Sequence, residues 1–504
     1  MKTLVTDVAI LGAGSAGMAA YRAATAHTSN VLLVEGGAYG TTCARVGCMP
    51  SKLLISAAEA AHVARHAAPF GVHADRVRVD GHAVMARVRG ERDRFVGFVT
   101  ETIDDWPEAH RLRGHAWFLS PHRLQVGSDT IVEAGRIVIA TGSRPNVPDE
   151  WRIALGDRLI VNDDVFAWQT LPQSVAVIGT GVIGLELAQA LHRLGVRVRV
   201  FGRGNRLGPL TDPVLQDVAR QTLGGELDMT LSVASFVPRL DATGRVRITS
   251  RTTDGEERDE TFDHLLAAVG RRPNLDDLAL ENAGLPSDAR HDRRTGRLGN
   301  SHIYLAGDAL DDRQLLHEAA DDGRIAGDNA GRHPEVRVRP RRARLSIVFS
   351  DPQIMLAGDT HAELVAADAD FEIGEVSFSD QGRSRVMLKN HGAPRVYGEA
   401  GTGRFLGAEM IGPAAEHLGH LLAWSVQRGD TVQQMLDSAF YHPVVEEGLR
   451  TALRQLQRKL ALKSPNPEHC LECAVTACPP SPNGTPTCNL ASTSTKPRPN
   501  PPRP

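Results

Sequence analysis

The chain has 504 residues, with 57 Lys+Arg against 60 Asp+Glu and a formal net charge of −3, so it lacks the charge excess that draws a protein to nucleic acid or an anionic membrane surface. A single core seldom grows beyond roughly 250 to 300 residues, which predicts two to four domains. No stretch approaches the roughly 18 uninterrupted apolar residues of a membrane helix. The expectation is a cytoplasmic chain whose cysteines serve chemistry or metal binding rather than structural stapling.

Met1-Lys2-Thr3 leads into an apolar run, Val8 to Leu11, too short for a secretory signal. It passes straight into Gly12-Ala13-Gly14-Ser15-Ala16-Gly17, so a strand, a phosphate turn and a helix are predicted over Asp7 to Ala24. Gly12, Gly14 and Gly17 fit G-x-G-x-x-G, and Glu35 ends the next apolar strand, Val31 to Val34. The glycines let the backbone approach a pyrophosphate at a helix N-terminus, and the acid accepts from a ribose 2′-hydroxyl. The triplet alone is weak evidence; the placed acid makes it specific.

Next comes Gly40-Thr41-Thr42-Cys43-Ala44-Arg45-Val46-Gly47-Cys48-Met49-Pro50-Ser51-Lys52. Two cysteines at this spacing can close a disulfide across one helical turn. They could also be two small buried thiols. The thiolate is the reactive form, and Arg45 and Lys52 offer the cationic setting that lowers a thiol pKa. Lys52 is one of only six lysines, so its place in the motif is informative.

Extended segments at Arg136 to Arg144 and His264 to Pro273 end in small-residue turns and read as crossovers between domains. Between them a second strand–turn–helix unit spans Ser174 to Leu194. Its Gly179-Thr180-Gly181-Val182-Ile183-Gly184 follows Val175 to Ile178 and is predicted to bind a second dinucleotide. The strand Val196 to Phe201 then ends in Gly202-Arg203, where an NAD-preferring site presents an acid. Arg203 and Arg206 could instead donate charge-assisted bonds to a 2′-phosphate, so the site reads as NADP-preferring or dual unless Arg203 simply faces solvent.

A third extended segment, Ser301 to Asp308, leads into a helix-like stretch from Gln314 to Ala330. From about Arg341 the pattern becomes strands at Ser346 to Phe349, Phe371 to Phe378 and Arg383 to Leu388, followed by amphipathic helices: a separate α+β domain. In Phe440-Tyr441-His442-Pro443-Val444-Val445-Glu446-Glu447, proline and acids suit a helix first turn, and His442 has the pKa range to move a thiol proton. Beyond Lys463 a Pro/Ser/Thr/Asn-rich composition predicts a disordered tail. It carries His469, Cys470, Cys473, Cys478 and Cys488. Four thiols could hold zinc, but the regular pairing of a zinc ribbon is missing, so no metal site is assigned there; thiol handling and no defined role both stay open.

From about Thr6 to Leu460 these motifs resemble the class I pyridine-nucleotide disulfide oxidoreductases. The resemblance implies an α/β fold of two Rossmann-like dinucleotide-binding domains, for FAD and NAD(P), with a C-terminal α+β dimerisation domain. The expected division is 1–145 and 271–338 for FAD, 146–270 for NAD(P), 339–463 for dimerisation and 464–504 for the tail. It implies Cys48 as charge-transfer thiol and Cys43 as interchange thiol. Thr141 and Gly142, in a segment like the family hinge, and Gly270 fall at the cofactors. Asp308 is expected on the flavin ribitol rather than as a helix N-cap. Glu186 is expected to pair with Lys52 beside the flavin rather than to lie exposed. His442, oriented by Glu447, is implied to reach the partner's cysteines across a two-fold axis in a homodimer. Three departures stand out: Gly40-Thr41-Thr42-Cys43 replaces Gly-Gly-Thr-Cys, Arg45 replaces an asparagine, and Phe440 replaces a second histidine. Pro50-Ser51-Lys52 is similar to the dihydrolipoyl dehydrogenase and mercuric reductase branches rather than to glutathione reductase. The expected activity is dihydrolipoyl dehydrogenase, on a small-molecule or lipoyl-domain disulfide. The alternatives are NADPH-dependent reduction of metal ions or another disulfide, and a flavoprotein scaffold or thiol–metal binding subunit.

Overall fold

A computed structural model describes residues 1–286 and 289–460. The first strand, β1 (Lys2–Leu11), is buried from Val8 to Leu11 and pairs in parallel with β2 (Val31–Glu35) on one side and with Thr130–Ile139 on the other. Strands buried on both faces need continuous apolar runs and crossover helices; α1 (Ser15–Ala24) is the crossover here. Across the sheet the order is His291–Asp292, Arg297–Leu298, Ile303–Leu305, Thr130–Ile139, β1, β2 and Arg111–Arg113. Residues near 300 thus complete a sheet that begins at residue 2. Two helices follow β2 with a break at Gly47: α2 (Thr42–Val46) and the longer α3 (Cys48–Arg65).

The second unit repeats the plan with β3 (Ser174–Ile178), α4 (Val182–Arg193) and β4 (Arg197–Phe201). Its parallel sheet runs Met229–Thr230, β4, β3, His264–Ala267, Leu159–Ile160. A two-stranded ribbon of Ser143–Pro145 and Arg271–Pro273 joins the two units. The chain then returns to the first unit through α5 (Leu316–Arg332), which packs on α1 at backbone distance. A Cβ on Gly323 would lie 2.1 Å from the Ala16 carbonyl oxygen, and one on Gly327 would lie 2.2 Å from that of Ala20.

The third unit is a five-stranded antiparallel sheet, ordered Leu345–Val348, Gln353–Gly358, Phe405–Gly412, Ala393–Glu399, Phe371–Glu375. α6 (Ala415–Arg428) and α7 (Glu446–Lys459) cover it, and Met355, Phe378, Leu418 and Leu453 share its core. One expected strand is corrected. Arg383 to Leu388 is not extended: Gly382–Val386 is a short helix, because the Gln381 side chain accepts from the Ser384 N–H and opens a helical turn. The predicted tail, with His469 and its four cysteines, lies outside the described residues.

Candidate active site

The two glycine turns close by the same contacts. A Cβ on Gly12 would lie 2.3 Å from the Ala140 carbonyl oxygen, and one on Gly17 would lie 1.8 Å from that of Gly12. In the second turn the distances are 2.1 Å from Gly179 to the Ala268 oxygen and 2.1 Å from Gly184 to the Gly179 oxygen. The middle glycines differ, since Gly14 and Gly181 face open space. That is the arrangement a pyrophosphate needs at a helix N-terminus: two positions for packing and one for ligand approach.

Gly14 opens on two cavities, of about 410 and 560 Å³, which share Thr42, Ala140 and Gly142 in their walls. The larger is lined by Glu35, Thr41, Gly114, His115, Thr141 and Asn274 among others. Glu35 accepts the Ala13 N–H at 2.7 Å and the Gly37 N–H at 2.6 Å, which holds its carboxylate at the turn with lone pairs to spare. Thr141 and Asn274 bond each other reciprocally at 2.8 and 3.0 Å. The smaller cavity holds Cys43, Cys48, Lys52, Val182, Ile183, Glu186, Asp308 and Phe349. Asp308 lies in a short turn, Gly307–Leu310, well before α5, so it does not cap that helix. Its carboxylate accepts from Ser143 at 2.8 Å, and Ser143 in turn accepts from Arg271 at 2.9 Å. Gly270 has φ +106°, and its carbonyl accepts from Asn146 at 2.9 Å beside this group. A pyrophosphate-sized opening at Gly14, flanked by a carboxylate pocket on one side and an apolar-walled cavity on the other, fits an FAD.

Cys43 sits on α2 and Cys48 is the first residue of α3, so the pair straddles the junction at Gly47 instead of spanning one continuous turn. Thr41 builds α2 by accepting the Ala44 N–H at 3.2 Å. Both cysteines are free thiols. A bond from the Cys43 thiol holds Cys48 down to about 7, against burial, and the Lys52 charge adds to the effect. The start of an 18-residue helix favours the thiolate as well. Cys43 moves the other way, pushed up by its bond to Cys48 and by burial. The two sulfurs are thereby differentiated.

Lys52 lies one turn into α3 from Cys48. Its Nζ is 2.7 Å from the Glu186 carboxylate, whose side chain is only 5% exposed. The second Glu186 oxygen accepts the Phe349 N–H at 2.9 Å, and the Phe349 ring centroid lies 4.4 Å from Lys52 Nζ. A buried carboxylate without such partners would be strongly destabilising. Phe349 and Asn162, which donates to the Val46 carbonyl at 2.8 Å, join the cavity without any motif to announce them.

Arg203 and Arg206 are exposed beyond β4. Their loop folds back on the second turn, since the Arg206 carbonyl accepts from Thr180 at 2.7 Å. His442 pairs with Glu447 through Nδ1 and does not line the cysteine cavity of its own chain. Among the described residues no group of three or more His, Cys, Asp and Glu is placed to hold a metal ion, and no helix is long and apolar enough to cross a membrane.

Comparison with known proteins agrees with this geometry. Residues 6–323 match the pyridine nucleotide-disulphide oxidoreductase family model, and residues 345–453 match the dimerisation domain of the same family. A dihydrolipoyl dehydrogenase of Haloferax volcanii is 32% identical, over 89% of this chain and 95% of that protein. A mercuric reductase of Shigella flexneri is 31% identical, over 90% of this chain and 81% of that protein. Among solved structures, LpdA of Mycobacterium tuberculosis superposes with a TM-score of 0.75 at 25% identity, covering 90% of this chain and 99% of that one. The flavoprotein disulfide reductase RclA of Escherichia coli, at 23% identity and a TM-score of 0.73, covers 89% and 99% and shares the fold. The chain belongs to the pyridine nucleotide-disulphide oxidoreductases, the FAD-dependent enzymes that act on sulfur groups with a pyridine nucleotide.

Proposed function

We propose that this protein is a dihydrolipoyl dehydrogenase-type enzyme, passing two electrons from a dithiol to a nicotinamide through the Cys43–Cys48 pair. The observation that carries the reading is the differentiated thiol pair beside Lys52 and Glu186, in one cavity with the first residues of α1 and α4, the helices that follow the two glycine turns. Pro50-Ser51-Lys52 and relatives named dihydrolipoyl dehydrogenase at 30 to 32% identity support this choice of substrate.

Two copies make the site. His442 of the partner subunit takes the proton of one substrate thiol. The resulting thiolate attacks Cys43 of the oxidised pair; the Cys43–Cys48 bond breaks, and Cys48 leaves as a thiolate. The second substrate thiol, deprotonated in turn, displaces Cys43 and closes the substrate disulfide. The substrate is oxidised by two electrons and the cysteine pair is reduced by two. Gly12, Gly14, Gly17, Glu35, Thr141, Gly142 and Asp308 would hold FAD, which would supply a two-electron carrier between the cysteine pair and the nicotinamide. Gly179, Gly181, Gly184 and Gly270 serve the coenzyme, and Arg203 with Arg206 favours its 2′-phosphate. The division into 1–145 with 271–338, 146–270 and 339–463 follows from these roles. A reducing cytoplasm suits an exchangeable thiol pair.

Reduction of a metal ion with NADPH is the second reading, favoured by the arginines after β4 and by the mercuric reductase relative. Purified holoenzyme assayed with lipoamide, glutathione and Hg(II), using both coenzymes, separates the two. Lipoamide or its dithiol should lead by at least about tenfold in kcat/KM, a difference of roughly 1.4 kcal/mol. A lead for Hg(II) would transfer the enzyme to metal reduction.

A further inference from the structure

Three side chains on one face of α4 grip a loop of the C-terminal unit. Glu186 accepts the Phe349 N–H at 2.9 Å. Gln189 accepts the Asp351 N–H at 2.8 Å and donates back to the Asp351 carbonyl at 2.8 Å. Arg193 reaches the Asp351 carboxylate at 3.1 Å while bonding Glu226 through two nitrogens, at 2.5 and 2.9 Å. Positions three and seven residues apart share a helix face, and all three residues are buried. The Gln189 side chain therefore pairs with Asp351 as a strand would, at a place where the loop has no strand neighbour of its own.

The consequence lies two residues upstream. Phe349 presents its N–H to Glu186 and its ring to the Lys52 ammonium. A ring face attracts a cation only within about 6 Å of its centroid, so the contact depends on where the loop sits. We infer that Gln189 is a positioning residue for the Lys52–Glu186 pair: by holding the Asp351 backbone it fixes Phe349, whose N–H and ring seat that pair against Cys48. The helix that opens at the coenzyme turn thus also sets the charge beside the thiol. If the loop slips, Glu186 loses a donor and Lys52 loses the ring that confines it, and the field at Cys48 weakens.

This inference rests on the proposed redox reading, and the test keeps the two apart. Two-electron reduction of the holoenzyme should produce a long-wavelength thiolate–flavin absorbance, which is then titrated with pH. Gln189→Met removes both bonds to Asp351, together with the 2.7 Å bond that Gln189 donates to Glu226, at similar volume, and Phe349→Leu removes the ring while keeping the N–H. Each should raise the titration midpoint by roughly 0.5 to 1 pH unit, a three- to tenfold change in the thiolate equilibrium. Gln125→Met is the control: it deletes two bonds of a buried side chain that stay within one hairpin, to Gly127 and Thr130, and should leave the midpoint where it is. A midpoint unmoved in either test variant, or moved equally by the control, overturns the inference. Should Gln189→Met fail to load flavin, Phe349→Leu decides alone. Wild-type enzyme with no such absorbance would instead overturn the redox reading itself.

Discussion

The Nδ1 of His442 stands 3.0 Å from both carboxylate oxygens of Glu447. Because a carboxylate only accepts, this ring nitrogen carries the proton, and in the neutral imidazole the free lone pair is on Nε2. The His442 side chain is 80% exposed. The ring is oriented by Glu447, yet does not line the cavity of its own chain's thiols.

Mixed dimers test that geometry. Homodimers of Cys43→Ser and of His442→Ala should each lose turnover by about 10²-fold or more. Co-expressed and isolated as a heterodimer, the two should regain about half the activity of wild type, because one site again has both groups. A heterodimer as inactive as its parents would place His442 outside the partner's site.

Glu447→Gln addresses the tautomer. An amide can turn its N–H2 toward Nδ1, which favours the wrong ring proton. The expected loss in kcat is about 10- to 100-fold, smaller than the 10²- to 10⁴-fold attributable to a general base, with flavin content unchanged. Retention of full kcat would reduce Glu447 to the helix-start acid that its position on α7 also permits.

Cys48 governs the pH dependence. Its thiol is held down to about 7, first by the bond from Cys43, against burial, and then by the charge of Lys52. The thiolate–flavin absorbance of reduced enzyme should therefore be full at pH 8.5 and fade through about pH 7 as protons are added. Lys52→Met should move that midpoint upward and Cys48→Ser should abolish the band. A band unchanged down to about pH 5 would contradict the assignment.

The proposed coenzyme preference is tested at the exposed loop after β4. Arg203→Glu should cut kcat/KM for NADPH at least about tenfold by repelling the 2′-phosphate, and leave NADH equal or better. A wild-type preference for NADH above tenfold would show that these arginines serve only solvent.

Asp322 on α5 links stability to pH. Burial raises its carboxyl to about 6, although Arg341 lies 3.2 Å away. A raised carboxyl favours the protonated folded state, so stability is greatest below the ordinary aspartate range and declines as pH rises through about 6. Asp322→Asn should stabilise the protein at pH 8 by roughly 1 to 3 kcal/mol and make no difference near pH 4. An equal effect at both pH values would trace it to packing.

Local chemistry was the legible part of this molecule. Gly12 and Gly17 advertise a turn so tight that only glycine fits, and Glu35 advertises a strand end, because each constraint acts within a few residues. Lys52 and Glu186 are 134 positions apart, and only the family resemblance connected them. Gln189, Phe349 and Asn162 gave no signal, since a glutamine, asparagine or phenylalanine is written the same way wherever it packs. Arg383 to Leu388 misled for the opposite reason: its apolar run Val386-Met387-Leu388 imitates a short strand, and the cap from Gln381 decides the matter.

Thr42 and Gly142 belong to the walls of both cavities, and Cys43 is the residue after Thr42. The helix that carries Cys43 is therefore also masonry for the nucleotide cleft. A segment with two such duties cannot be transplanted: moved to another scaffold, it would leave its donor without a wall and arrive with no cleft to complete.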